Sequence, residues 1–234
     1  MAYPLYLIVR PTPSEAEIPA LRSFLEKSFP REENLPYLDA LYGSAHHSAP
    51  SRVVADRLGA LSLLPLLLSA ANIPSAGLIL RRDEHQRPFC ESSEGAATFD
   101  FNLSHASAHV ACALMVGEGK IGVDIEEPIP PNRALPLIRR FCSKGEKALL
   151  ESVPPGDELA ADLFTSIWVE REALAKQNGR GMPLRFDTTR IPDGVMIWSG
   201  YLPDTETKIA VCGPMKNAPK SPRMHPGSLP VILT

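Results

Sequence analysis

The chain has almost no excess charge: 24 lysines and arginines face 27 acids over 234 residues, a formal net charge of −3. That is too little to draw nucleic acid by bulk electrostatics, and the chain has no acidic tail. Cysteine is scarce. Cys90, Cys112, Cys142 and Cys212 are widely separated and form no C-x-x-C pair, so neither a zinc site nor a disulfide framework is indicated. The opening run MAYPLYLIVR has no basic residue ahead of its apolar part, which is not the pattern of a signal peptide. The most apolar stretch, LSLLPLLLSAA at 61–71, is too short to span a bilayer and contains Pro65. The expectation is a cytoplasmic monomer with no membrane and no nucleic-acid partner.

What is present is an ordinary globular composition, 44% hydrophobic and 22% charged, with 24 prolines gathered in connections and at the C-terminus. The pattern predicts a strand at Tyr3–Arg10, a helix at Pro19–Phe29 and an irregular polar stretch over 30–50. Ser51 is placed to cap a long helix to Ala71 that Pro65 should kink. Strands at Gly77–Arg81 and Pro88–Cys90 follow, then a loop to Asn102. Val110–Val116 and Lys120–Glu126 read as a hairpin across Gly117-Glu118-Gly119. After a helix at Ala134–Phe141, Ser143 and Glu146 form a capping-box pattern for a second, ended by Pro154-Pro155-Gly156. Glu158–Lys176 is the strongest helix, closed by the glycines of NGRGM, and Val195–Leu202 with Lys208–Cys212 makes a last hairpin. Each half runs strand, short helix, long helix, strands. That order suggests two similar α+β lobes, 1–117 and 118–234, with a Pro-rich tail from about residue 214.

KIGVDIEE at 120–127 places two carboxylates on an apolar strand. Because side chains alternate, Ile121, Val123 and Ile125 share one face while Gly122, Asp124 and Glu126 share the other. Neighbouring acids repel unless something positive lies between them, or unless the edge is simply solvated. In FTSIWVEREALAKQNGRGM, Phe164, Trp168, Glu172 and Lys176 follow at i+4 along one stripe. Glu172 then projects from the edge of a buried stripe, and a Glu172–Lys176 surface ion pair is the plain alternative. His105 and His109, at i,i+4, could ligate a metal on a helix, but NLSHASAHVACALMV runs into a strand pattern.

Together these segments resemble the 4′-phosphopantetheinyl transferases of the Sfp type. G-V-D-I-E at 122–126 is followed at family spacing by W-x-x-[KR]-E-A-x-x-K at 168–176. F-N-L-S-H at 101–105, R-R-F-C-S-K-G-E at 139–146 and Arg87-Pro88 resemble three further family motifs. The resemblance covers residues 85–182. It implies an α+β fold of two pseudo-twofold related lobes with the active site between them. It also implies transfer of 4′-phosphopantetheine from coenzyme A to a serine of an apo acyl or peptidyl carrier protein, releasing adenosine 3′,5′-bisphosphate.

Attack on a pyrophosphate phosphorus needs its negative oxygens neutralised, and a hard divalent cation on oxygen ligands does this. By the resemblance Asp124, Glu126 and Glu172 are ligands of Mg²⁺, or Mn²⁺. Glu172 is also the base for the carrier serine, and Lys176 stabilises the departing phosphate. Arg52, Arg87, Pro88, Ser104, His105 and Lys176 would bind coenzyme A, the arginines through their planar forks. The sequence departs from the family in three places. G-K-P is Gln86-Arg87-Pro88 here, S-H-S is Ser104-His105-Ala106, and PREENLPYLDAL at 30–41 lacks the basic cluster expected before the first long helix. A non-catalytic coenzyme A or carrier-protein binding module on the same scaffold is the alternative function. A purely structural role for each acid is the other.

Overall fold

The computed structural model describes residues 4–44, 47–92, 98–153, 158–179, 191–203, 205–214 and 231–233. Strand β1 (Leu5–Pro11) leads to helices α1 (Ile18–Ser28) and α2 (Leu35–Ala40), then the two-residue strands β2 (Gly43–Ser44) and β3 (His47–Ser48). Helix α3 (Ser51–Ala70) is followed by β4 (Leu78–Arg82), β5 (Pro88–Ser92), β6 (Phe99–His105), β7 (His109–Val116) and β8 (Gly122–Glu126). Three helices follow, α4 (Pro131–Phe141), α5 (Lys144–Glu151) and α6 (Glu158–Asn178), and then β9 (Val195–Tyr201), β10 (Lys208–Pro214) and β11 (Val231–Leu233). The chain is α+β.

Two sheets carry the molecule. The first runs β11-β1-β7-β6 and the second β8-β10-β9, all antiparallel. Alternation along the strands sorts their side chains into layers. Leu5, Leu7, Ala111, Ala113 and Met115 of the first sheet meet Ile121, Val123, Ile125, Ile209 and Val211 of the second in one buried cluster. The other face of the first sheet is covered by α1, α2 and α3. The other face of the second packs on α6 through Val169, Ala173, Leu174, Ala210 and Cys212. The order is helices, sheet, sheet, helix. The apolar face expected for Ile121, Val123 and Ile125 is the inter-sheet core.

Several sequence expectations are corrected here. Residues 110–126 are not a hairpin: β7 pairs with β6, while β8 pairs with β10 in the other sheet. Gly117 and Gly119, with φ of 116° and 120°, turn the chain between sheets instead of closing a ladder. The loop expected up to Asn102 contains the start of β6, and the irregular stretch 30–50 contains α2. Ser51 is the first residue of α3, not its cap; Pro50 occupies that position, without a side-chain bond. Pro65 lies inside this helix, which continues past it to Ala70. At 20 residues it is long and apolar enough to cross a membrane, by length and composition, although most of it lies in the core. The capping box at Ser143 forms as expected, with Ser143 N–H donating to Glu146 (2.7 Å) and Glu146 N–H to Ser143 Oγ (3.1 Å). Residues 154–156, most of the Pro-rich tail and the second glycine of NGRGM lie outside the described residues, whereas β11 pairs with β1.

Candidate active site

β8 is an edge strand of its sheet, so one row of its backbone N–H groups has no partner on β10. The neighbouring strand β6 supplies partners through side chains. Ile121 N–H donates to Asp100 Oδ2 (2.7 Å), Val123 N–H to Asn102 Oδ1 (3.0 Å) and Ile125 N–H to Ser104 Oγ (3.4 Å). Acceptors at every second residue of one strand thus satisfy donors at every second residue of the next. This ladder joins the two sheets. It also explains why β6 alternates polar and apolar residues, as D-F-N-L-S, when Phe101 faces the α3 core.

From the opposite side, α6 presses directly on β8. A Cβ on Gly122 would lie 2.0 Å from the Ala173 carbonyl oxygen and 2.5 Å from the Gln177 nitrogen, so only glycine permits this approach. The contact brings the last turns of α6 level with Asp124. Lys176 Nζ lies 2.6 Å from Asp124 Oδ1 and 2.9 Å from Ser104 Oγ, and the Ser104 hydroxyl donates to the same carboxylate oxygen at 2.7 Å. Lys176 therefore pairs across to the strand acid; the expected alternative, an ion pair with Glu172 on its own helix, is not the pair formed. Phe164 and Trp168 are buried as their stripe requires, with ring centroids 5.9 Å apart.

The three acids feel one another. Glu126, hydrogen-bonded to the Trp168 side chain, is pushed up to about 7, first by burial and then by Asp124 and Glu172. Burial followed by Asp124 also raises Glu172, opposed by Lys176. Asp124 is buried, and its Oδ2 has no hydrogen-bond partner. Among the described residues no three acid, histidine or cysteine side chains close on a common point as a bound metal would require. The donor set nevertheless fits a hard cation: oxygen ligands only, an orphaned buried carboxylate oxygen, and repulsion that a positive charge would relieve.

Two cavities open on these groups. One of about 410 Å³ is lined by Arg52, Asp56, His105, Glu126 and Arg133. The other, of about 260 Å³, is lined by Arg87, Pro88, Asn102, Glu172 and Lys176. Arg52 Nε faces Asp56 at 3.2 Å and its guanidinium also donates to the Ser107 carbonyl. Crowding by protein atoms lowers the His105 pKa, opposed by Asp56, so the imidazole is neutral near pH 7. His109 sits at the start of β7, across the turn from His105, with its ring 3.4 Å from the Thr207 hydroxyl. Ser104 is buried in the Asp124–Lys176 cluster, and Arg87 is buried in the seam between the sheets.

Residues 120–199 match the family model of the 4′-phosphopantetheinyl transferase superfamily. That stretch is similar to the superfamily's domain. Among curated relatives, a 4′-phosphopantetheinyl transferase of Bacillus subtilis is 28% identical over 157 residues, 61% of this chain and 66% of the relative. The 4′-phosphopantetheinyl transferase AcpT of Salmonella typhimurium is 40% identical over 79 residues, 34% of this chain and 40% of its own. A putative 4′-phosphopantetheinyl transferase of Haemophilus influenzae is 28% identical over 158 residues, 63% of this chain and 60% of its own. The chain thus spans roughly two fifths to two thirds of the length of these curated relatives. The superfamily match contains Asp124, Glu126, Glu172 and Lys176.

Sequence reading missed two polar arrangements at the site. Asp100 and Asn102 build the ladder that fixes β8, and the polar alternation of 100–104 was their available signal. Glu146 and Arg171 form a fully buried ion pair between α5 and α6, one residue before Glu172. Nothing local marks that pair, since 25 residues separate its members.

Proposed function

We propose that the protein transfers 4′-phosphopantetheine from coenzyme A to the serine hydroxyl of an apo acyl or peptidyl carrier protein. The observation that carries this reading is the contact of Lys176 with Asp124 where α6 meets the edge of β8, with Glu126 near enough to feel both Asp124 and Glu172, inside the stretch that matches the superfamily. Asp124, Glu126 and Glu172 would hold Mg²⁺ or Mn²⁺, which when bound would neutralise charge on the pyrophosphate. Glu172, its carboxyl already raised by burial and by Asp124, is suited to take the proton of the attacking serine. The serine oxygen forms a bond to phosphorus as the bond to the adenosine 3′,5′-bisphosphate oxygen breaks. Lys176, whose ammonium lies against Asp124, would donate to that departing oxygen.

Arg52 and His105 line the larger cavity and would receive phosphates of coenzyme A. A neutral His105 can donate one hydrogen bond, and an arriving dianion would favour its charged form. Pro88 shapes the second cavity. Layers running helices, sheet, sheet, helix support two lobes related by a pseudo-twofold and divided near residue 117. We place the protein in the cytoplasm as a monomer.

Intact mass spectrometry of apo carrier proteins incubated with the enzyme, coenzyme A and Mg²⁺ tests the reading. A gain of one phosphopantetheine, lost on chelation, is expected. Tight coenzyme A binding with no mass gain on acyl or peptidyl carriers would favour the binding-module alternative.

A further inference from the structure

Arg87 follows the tight turn between β4 and β5 and is buried to 8% exposure, in the seam where both sheets and α6 meet. Its Nη2 donates to Asp100 Oδ2 (2.5 Å), to the Ile121 carbonyl (2.8 Å) and to the Phe101 carbonyl (3.2 Å). Its Nη1 donates to the carbonyl of Lys176. These acceptors belong to β6, to the entry of β8 and to the last turn of α6. The Lys176 carbonyl is among the last four of its helix, which have no intrahelical donor. A cation there also meets the negative end of the helix dipole.

Lys176 is thereby gripped at both ends. Its main chain is held by Arg87, and its ammonium by Asp124 and Ser104. Ser104 and Asp100 lie on the same face of β6, two rungs of the ladder that satisfies β8. One guanidinium thus ties together the strand that carries Asp124 and the helix turn that carries Glu172 and Lys176. The planar fork reaches acceptors in divergent directions, which a lysine ammonium on its single stem does not.

We infer that Arg87 is a positioning residue that sets the register of the last turn of α6 against β8, and that it does not act as a phosphate ligand. This rests on the transferase reading for its kinetic half only. Two measurements on the full-length Arg87→Lys variant test it. The first is kcat and KM for coenzyme A with an apo carrier. The second is amide hydrogen exchange of residues 172–178 in metal-free, substrate-free protein.

The expected result is a fall in kcat of about 10–100-fold, the cost of sub-ångström to ångström misplacement, with KM for coenzyme A within about twofold. Exchange at 174–178 should quicken at least tenfold while that of β10 stays unchanged. Both must occur. Unchanged exchange, or a raised KM with unchanged kcat, overturns the inference. Should Arg87→Lys not fold, Asp100→Asn takes its place in the exchange experiment. It removes the charge partner of Arg87 far along the seam, and the last turn of α6 should still loosen; an unaltered α6 overturns the inference. Absence of any transfer by wild-type protein would defeat the proposed function, while the exchange experiment would still decide the role of Arg87.

Discussion

Helices α3 and α6 cover the two outer faces of the sheet stack, each at about 20 residues. α3 is buried nearly all round, through Val54, Leu58, Leu61, Leu64 and Leu68. Its one buried acid, Asp56, sits towards its start, beside Arg52. α6 buries Phe164, Trp168, Val169 and Leu174, but it also buries Thr165 and Arg171 and leaves Glu172 and Lys176 half-buried against β8. A helix apolar on all sides anchors a core. A helix that brings partly desolvated charges to a strand edge holds groups with altered acidity and few partners, the usual setting of chemistry. The same scaffold position thus serves once for packing and once for a site. The polar ladder on β6 makes the second use possible, because it ends the sheet beside α6 without another strand.

The sharpest way to break the comparison is through a glycine at the close contact each helix makes. A Cβ on Gly122 meets backbone of α6, whereas a Cβ on Gly59 of α3 meets side chains, the Pro13 ring at 2.7 Å and Val110 Cγ1 at 3.5 Å. Backbone of a packed helix cannot step aside. Gly122→Ala should therefore cost more than the ~1–3 kcal/mol of ordinary overpacking and should abolish transfer, since α6 must lift from β8. Gly59→Ala should cost far less, because Pro13 lies in a partly exposed segment and alanine regains about 0.8–1 kcal/mol of helix propensity. Urea melts of both variants check this; equal losses would show that the two helices are seated alike.

A second change removes chemistry and keeps packing. Glu172→Gln and Asp124→Asn should lower kcat at least ~10³-fold, if each supplies a cation ligand worth several kcal/mol in the transition state. Neither should unfold the protein, and Glu172→Gln should raise the metal-free Tm by relieving repulsion. Lys176→Met differs in kind. It strips Asp124 of its cation, so the metal-free Tm should fall, and added Mg²⁺ should restore it. Single-turnover rates beside thermal melts separate these patterns.

How far all this was legible depends on sequence distance. Alternation in KIGVDIEE and the i+4 stripe of α6 are local, and both survive in the structure. The ladder was not legible, because Asp100, Asn102 and Ser104 spend their side chains on a strand some 20 residues away. Polar alternation without an outer sheet partner reads as loop. The false hairpin at 110–126 has the same origin. Two strands joined by Gly-Glu-Gly satisfy every local rule, and only the competition of β6 for β7 and of β10 for β8 decides otherwise. The burial of Arg87 was not legible either, because three separate elements set it at once.

pH gives a smaller and more graded test. Glu126 titrates near 7 in the folded protein and near 4.5 when unfolded. The folded state therefore holds an extra proton between those values, so stability falls as pH rises through that window. Below about 4.5 both states are protonated and the effect vanishes; above about 7 the penalty is complete. The metal-free Tm should drop between pH 5 and 8, and Glu126→Gln should flatten that slope. A slope of opposite sign would mean that Glu126 is paired with a cation even without metal.

The smallest expected effect lies at the rim of the second cavity. Gln86 has a φ of 65°, the left-handed region, where the related transferase motif has glycine. The turn is fixed by a main-chain bond from Gln86 N–H to the Asp83 carbonyl (2.9 Å), by the Arg82 guanidinium, whose Nη1 donates to the Gln86 carbonyl (2.9 Å), and by the Asp83 carboxylate, which accepts from the His85 and Arg87 amides (both 2.9 Å). None of these needs the glutamine side chain, which is exposed. A non-glycine residue in this conformation costs roughly 1–2 kcal/mol. Glycine removes that strain but carries more entropy in the unfolded chain, offsetting about 0.5–1 kcal/mol. Gln86→Gly should thus stabilise the protein by no more than ~1 kcal/mol and leave kcat and KM for coenzyme A unchanged. A loss of activity with improved stability would mean that the glutamine amide reaches the bound nucleotide. The rim of this cavity would then join α6 in carrying chemistry, instead of only framing it.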